Sequence, residues 1–312
     1  MKYRHTPVML DEIITYLNCK PGNCYVDCTL GGAGHSRAIL EKILPDGLLI
    51  GIDQDADAIS NATHLLKPYG SNVRLFHENY VHLPNILSQL NILKVDGIIA
   101  DLGLSLNQIE NSGRGFSFQK NEPLDMRMNV ASEITAADIV NNESQAQLET
   151  IFRDYGEERW ARKIAQKIIA VRTVQKISTS QELAKWVCDA IPARAQHQRK
   201  KHPATKVFMA LRIAVNRELE VLEAFLDDAL DLLNPGGRMC FLSFHSLEDR
   251  IVKRRFRSWE GNCTCPRDFP ECICNNKKSV KILTRKAGRP SDAEVSDNPM
   301  ARSACLRVAE KL

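Results

Sequence analysis

No apolar run in the 312 residues approaches the roughly 18 that a membrane helix needs, so a membrane-spanning chain is not expected. A readable targeting segment is missing too, because the apolar start from Met1 to Ile14 is broken by Asp11 and Glu12. The expected compartment is therefore the cytoplasm. The sequence also lacks internal repeats and low-complexity tracts, and 16 glycines and 13 prolines are ordinary numbers, which removes fibrous and disordered classes. What it does have is 44% apolar residues, enough for a real core, over a length that predicts two domains. Ten cysteines do not make a disulfide framework here, since that reading requires a short secreted chain.

The formal charge of +4 is small, but it is unevenly spread. Residues 1–190 carry 19 Lys and Arg against 23 Asp and Glu, whereas residues 191–312 carry 23 against 15. The second part either faces a polyanion or is a solvated basic surface.

Short apolar strands alternate with helical stretches in the first hundred residues, the pattern of a parallel sheet covered by helices. Cys24–Asp27, Leu48–Asp53, Val73–Phe76 and Asp96–Asp101 read as strands, with helices from Ser36 to Leu44 and from Ala56 to Leu66. From about Gly113 to Phe208 the spacing is helical throughout, including a capping box from Thr179 to Glu182. Ala204 to Asn234 reads as one long helix that stops at Asn234-Pro-Gly-Gly237, and Arg238–Phe244 returns as a fifth strand. The expected architecture is thus a discontinuous α/β domain, residues 1–112 and 209–312, interrupted by an all-helical insertion, residues 113–208, that would recognise substrate.

The chemistry is concentrated in Asp27-Cys-Thr-Leu-Gly31-Gly32-Ala-Gly34-His35, a glycine-rich turn between strand and helix. Such a turn brings backbone N–H groups and a helix N-terminus close to a ligand. It departs from the dinucleotide fingerprint G-x-G-x-x-G, because Arg37 stands at the third glycine position. Asp53 ends the second strand, where a carboxylate can accept hydrogen bonds from both hydroxyls of a ribose. Asp27, Asp53 and Asp101 together line the carboxyl ends of a parallel sheet, where such sheets bind ligands. A nucleoside that carries an amino acid in place of a diphosphate points to S-adenosylmethionine, whose reactive methyl group needs mainly to be aligned with a nucleophile.

His5-Thr-Pro-Val-Met-Leu-Asp-Glu12, Gly31-Gly-Ala-Gly-His-Ser36, Asp101-Leu-Gly-Leu-Ser105, Arg114-Gly-Phe-Ser-Phe118, Pro123-Leu-Asp-Met-Arg-Met128, Tyr155-Gly-Glu-Glu-Arg159, His202-Pro-Ala-Thr205 and Ser243-Phe-His-Ser-Leu-Glu-Asp-Arg250 resemble the RsmH (MraW) family, from His5 to Arg307. That family comprises bacterial methyltransferases of small-subunit ribosomal RNA. The resemblance implies a class I S-adenosylmethionine-dependent methyltransferase fold, Rossmann-like, with an inserted helical domain. It further implies N4-methylation of a decoding-centre cytidine of 16S rRNA, within the 30S subunit, and a possible homodimer. Carried over residue by residue, the cofactor contacts fall on Ala33, Gly34, His35, Asp53, Tyr80, Asp101 and Gln108. Ala33 stands where many members have glycine, and Tyr80 where phenylalanine is common; either ring can stack on adenine. The exocyclic amine of cytosine is a poor nucleophile, and Asp101 fits an acceptor that would help its proton leave. The same carboxylate could instead bind only the cofactor's amino group. Phe116 and Phe118 either stack on an extruded base or pin their loop to the core.

Three basic segments face the question of the partner. Arg194, Arg199, Lys200, Lys201 and Lys206 lie in an acid-free stretch; Arg250, Lys253 and Arg254 follow the fifth strand and His245; Lys277 to Arg289 comes later. Contact with RNA phosphate is expected of them. Cys263, Cys265, Cys272 and Cys274 could hold zinc, but C-x-C is tighter than the usual spacing and no metal is assigned. Two readings compete with an RNA methyltransferase: an enzyme that methylates a protein or small molecule, and a non-catalytic RNA-binding factor of ribosome assembly.

Overall fold

The computed structural model describes residues 7–199, 201–261 and 277–312. Lys200 and the four clustered cysteines, Cys263, Cys265, Cys272 and Cys274, lie outside the described residues. Contacts divide the chain into Met1–Gly103 with Leu219–Leu312, and Leu104–Glu218.

The first unit is built on seven strands: β1 (Cys24–Asp27), β2 (Leu48–Asp53), β3 (Val73–His77), β4 (Val95–Asp101), β5 (Leu233–Ser243), β6 (Val280–Ile282) and β7 (Cys305–Lys311). They lie in the order β3-β2-β1-β4-β5-β7-β6. The first five are parallel, as the alternating pattern predicts, and β7 and β6 extend the sheet antiparallel, which was not expected. Side chains alternate across the strands with period two. Val26, Ile50, Ile98, Met239 and Phe241 face one core, which Leu222, Phe225, Leu226, Val252 and Phe256 close. Tyr25, Leu49, Ile99, Cys240 and Leu242 face the other, closed by Ile13, Leu17, Ile39, Leu40 and Ile43. Gly97 is required by this packing, because a Cβ there would lie 2.6 Å from Cδ1 of Tyr25.

The second unit is helical, with a core that includes Leu124, Met126, Leu148, Phe152, Ile164, Ile168, Leu183, Val187, Val207 and Leu211. Thr179 and Glu182 form the expected capping box at the start of the Ser180–Ala190 helix. Ser105, Thr135 and Ser144 cap three other helices in the same way. The units divide at 103/104 and 218/219 rather than at the expected 112/113 and 208/209. The reason is local: Leu104, Ala210 and Leu211, all outside the expected insertion, pack with the helical core.

The single helix expected from Ala204 to Asn234 is two helices, Thr205–Asn216 and Glu218–Ala229. Arg217 adopts φ 50°, ψ 36° between them, a left-handed conformation that stops an α-helix. An unbroken apolar periodicity hides this stop, since Leu211 serves the helical core while Leu222 and Leu226 serve the sheet. No helix among the described residues is long and apolar enough to cross a membrane.

Candidate active site

The order of the sheet reverses direction between β1 and β4, which pair side by side although β2 and β3 intervene in the chain. A crevice forms at the carboxyl ends of strands at such a switch point, and it is the general ligand site of open α/β sheets. Asp27 ends β1, Asp53 ends the neighbouring β2, and Asp101 ends β4. The structure therefore brings together the three strand-end acids that the sequence singles out.

Each acid is held differently. Asp27 is 1% exposed and braces the turn: one oxygen accepts from Ser36 Oγ at 2.6 Å and the other from the Thr29 N–H at 3.1 Å. Burial pushes its carboxyl up to about 7, against those two hydrogen bonds, with the charge of Asp53 adding to the rise. Asp53 accepts from the Gly31 N–H at 2.9 Å and the Asp55 N–H at 2.8 Å, so it fastens the glycine turn to β2. Its carboxyl is pushed up to about 6, again mainly by burial. Two of its lone pairs are used by these bonds, leaving acceptor capacity for hydroxyl groups.

Asp101 is the exception. Its backbone N–H donates to Thr29 Oγ1 at 2.6 Å, and Oδ2 lies 3.8 Å from Nδ1 of His35. Oδ1 is buried and, among the described residues, has no hydrogen-bond partner. Burial, then the charges of Asp27 and Glu248, push this carboxyl well above the ordinary carboxylate range. A buried acceptor without a donor costs about 1–3 kcal/mol, so its retention at a ligand crevice marks a position awaiting a partner.

The turn itself is shaped by backbone. Gly31 has φ 44° and Ala33 φ 59°, and Ala33 precedes the Gly34–Ile43 helix without any side-chain cap. The helix therefore presents N–H groups that its own sequence does not satisfy. Ala33 is not a neutral replacement for glycine at this position, because a Cβ in the left-handed region costs about 1–2 kcal/mol. Gly34 is needed for a different reason from the expected one: a Cβ there would meet Cγ of Pro7 at 2.8 Å, so packing, not ligand approach, fixes it. His35 is buried, with Nε2 3.0 Å from the carbonyl oxygen of Val8.

Tyr80 opens the Tyr80–His82 turn after β3 and meets the Phe225 ring edge-on at 5.0 Å. Gln108 belongs to the helical unit, where its carboxamide oxygen accepts from the Ser105 N–H at 2.9 Å in a capping box. Phe116 is buried in the helical core beneath the Arg114 guanidinium, and Phe118 stacks on His202 at 4.4 Å and meets Phe208 edge-on. Both aromatics pin their loop.

Among the basic residues, Arg194, Lys201, Arg250 and Arg254 are exposed and Lys253 is half-buried. Lys206 is exposed too and donates to the carbonyl oxygen of Glu157 at 2.7 Å. Arg199 requires correction. It grips buried Glu158 with two hydrogen bonds, at 2.7 and 2.9 Å, and so holds the helical core instead of facing phosphate. Burial works against the Glu158 charge, but the bonds from Arg199 and the Trp160 N–H hold its carboxyl below the usual range. His245 caps the Ser246–Trp259 helix: its Nδ1 accepts from the Glu248 N–H, and Nε2 lies 3.1 Å from Glu248 Oε1.

The sequence alone does not single out Thr29, Ser36 and Glu248, which hold or polarise Asp27 and Asp101. Thr29 and Ser36 could have been found from their place in the glycine turn; Glu248 is reached only through the parallel pairing of β5 with β4.

The chain matches the profile of the MraW methylase family over residues 2–312. It is 56% identical over 309 residues to the ribosomal RNA small subunit methyltransferase H of Desulforapulum autotrophicum, covering 99% of both chains. Identity to the protein of the same name from Desulfosudis oleivorans is 53% over 312 residues, the full length of both. The structure is also similar to that of a putative rRNA-methylase from Clostridium thermocellum, with a TM-score of 0.46 and 12% identity over 99% of this chain and 100% of the other. A match that runs from the second residue to the last, with relatives more than half identical along their whole length, leaves one assignment: the chain belongs to the MraW methylase family.

Proposed function

We propose that this chain transfers a methyl group from S-adenosylmethionine to the exocyclic N4 of a decoding-centre cytidine in 16S rRNA, with the small ribosomal subunit as substrate. The relatives that match it end to end are ribosomal RNA small subunit methyltransferases, which supports the substrate class. The observation that carries the chemistry is the buried Oδ1 of Asp101 at the switch point of the sheet, an acceptor with no donor among the described residues.

The residues present suit the cofactor. When bound, S-adenosylmethionine supplies an activated methyl group on a sulfonium. The uncapped start of the Gly34–Ile43 helix, with Gly34 and His35 in its first turn, turns a helix N-terminus to the cofactor, and Ala33, whose own N–H donates to the Leu30 carbonyl oxygen, sets the turn before it. Asp53 has acceptor capacity for ribose hydroxyls, and Tyr80 offers an aromatic edge or face for adenine. Gln108, whose carboxamide oxygen accepts from the Ser105 N–H, stays in the expected set as a donor through its amide nitrogen.

Asp101 has a second role towards the acceptor base. An N–H of the cytosine amine can donate to Oδ1, which favours a pyramidal nitrogen with an available lone pair and holds the proton as the new bond forms. Burial disfavours the charged form of this carboxyl, and positive charge placed beside it would favour the accepting form. The Asp101→Asn variant tests the assignment. Methyl transfer to unmodified 30S particles should fall by about 10²-fold or more while particle binding persists. Transfer at the wild-type rate would refute it.

A further inference from the structure

A cavity of about 550 Å³ opens where β5 ends, and its lining is unusually cationic. Arg250 and Lys253 reach it from the start of the Ser246–Trp259 helix, Arg289 from the segment after β6, and Arg302 from the Pro299–Ser303 turn. The one carboxylate in the lining, Asp249, is already neutralised from within: Arg307 binds it through two hydrogen bonds of 2.6 and 2.9 Å, and the Cys305 thiol donates to it at 2.9 Å. Among the described residues, Lys253, Arg289 and Arg302 have no carboxylate within ion-pair distance; Arg289 donates instead to the carbonyl oxygen of Ala304 at 3.0 Å. The positive end of a fourteen-residue helix points the same way, with Ser246 at its first turn in the lining. Cations that converge around a carboxylate already neutralised by Arg307 repel one another.

The cavity is also close to the reaction site. Phe244 forms part of its wall, and a Cβ placed on Gly103, two residues beyond Asp101, would lie 3.5 Å from the Phe244 ring. Cavity and Asp101 thus share the carboxyl edge of the sheet.

We infer that this cavity is a phosphate subsite for the RNA strand that delivers the target base, with Lys253, Arg289 and Arg302 as its principal cations and Arg250 at its mouth. The inference rests on the proposed RNA substrate and adds to it a place where the backbone of the strand is held while one base is presented to Asp101. A nucleotide drawn out of its stack loses its neighbours, and fixing its phosphate restores register without reading sequence. The charge of the subsite should make binding depend on salt, by about 0.7 log units per log unit of salt for each single-strand phosphate engaged.

The test uses the full chain with the paired substitution Lys253→Gln and Arg302→Ala, with Arg302→Ala alone, whose side chain is exposed, as the variant least able to disturb folding. Binding to unmodified 30S particles should weaken by about tenfold in the paired variant, with a salt slope shallower by about 0.7, and KM for particles should rise accordingly. Arg302→Lys should restore most of the loss, and calorimetric binding of S-adenosylmethionine should match the wild type. Particle affinity and salt slope equal to the wild type would overturn the inference, as would a loss that appears equally in cofactor binding. A wild-type protein that binds particles with this salt dependence but transfers no methyl group would instead refute the proposed reaction and leave the subsite standing.

Discussion

Replacing Asp27 by asparagine should stabilise the protein, and the gain should depend on pH. Asp27 is fully enclosed, and its two oxygens accept from Ser36 and Thr29, bonds that an amide can largely preserve after rotation of the serine hydroxyl. Its carboxyl titrates at about 7 in the folded protein against 3.8 ordinarily. Below the lower value both folded and unfolded chains hold the proton, and Asp27 costs nothing by ionisation. As the pH rises, the unfolded chain releases the proton first, so stability drains away until the folded carboxyl also ionises. At about 1.4 kcal/mol for each pH unit, the loss totals roughly 4 kcal/mol above neutrality. Asp101, whose carboxyl the Asp27 charge raises, is relieved in the variant and adds to the advantage in the same direction, while carboxyls remote from Asp27 cancel in the difference. Urea unfolding without cofactor should show the advantage of Asp27→Asn widening by about 3 kcal/mol between about pH 5 and pH 7.5. A gap that stays constant, or narrows with rising pH, would refute the claim that burial governs this carboxyl.

Two further expectations concern packing. Arg199→Met should lower the stability of the helical unit by about 3–5 kcal/mol, because Glu158 would be left buried and uncompensated; thermal unfolding with helical signal as readout measures this, and a near-neutral variant would return Arg199 to the phosphate-facing set. Gly97→Ala should cost about 1–3 kcal/mol in chemical denaturation, since the added carbon would press 2.6 Å from the Tyr25 ring.

How far the sequence reveals this molecule depends on the range of the interactions involved. β1 and β2 are apolar runs ended by an acid, β4 has an apolar middle between Asp96 and Asp101, and the Thr179–Glu182 cap is contained in four residues, so all are legible locally. β7 is hidden because Arg307 interrupts its apolar run, and the reason an arginine is tolerated there is Asp249, a partner 58 positions away. Arg199 looks like part of a phosphate-binding loop until Glu158, 41 residues earlier, is found beneath it. The stop at Arg217 leaves no mark in composition, because a left-handed arginine is imposed by the two cores that its flanking helices enter. At the site, the acids and the glycine turn are apparent from their order in the chain. The unpaired oxygen of Asp101 and the cationic cavity become visible only when distant strands are set side by side.

The most direct test of the account is to incubate the purified protein with methyl-labelled S-adenosylmethionine and 30S particles lacking the modification, then digest the 16S rRNA to nucleosides. Label recovered in N4-methylcytidine is the expected result. Label in another nucleoside, in ribosomal protein, or nowhere in the particle would contradict it.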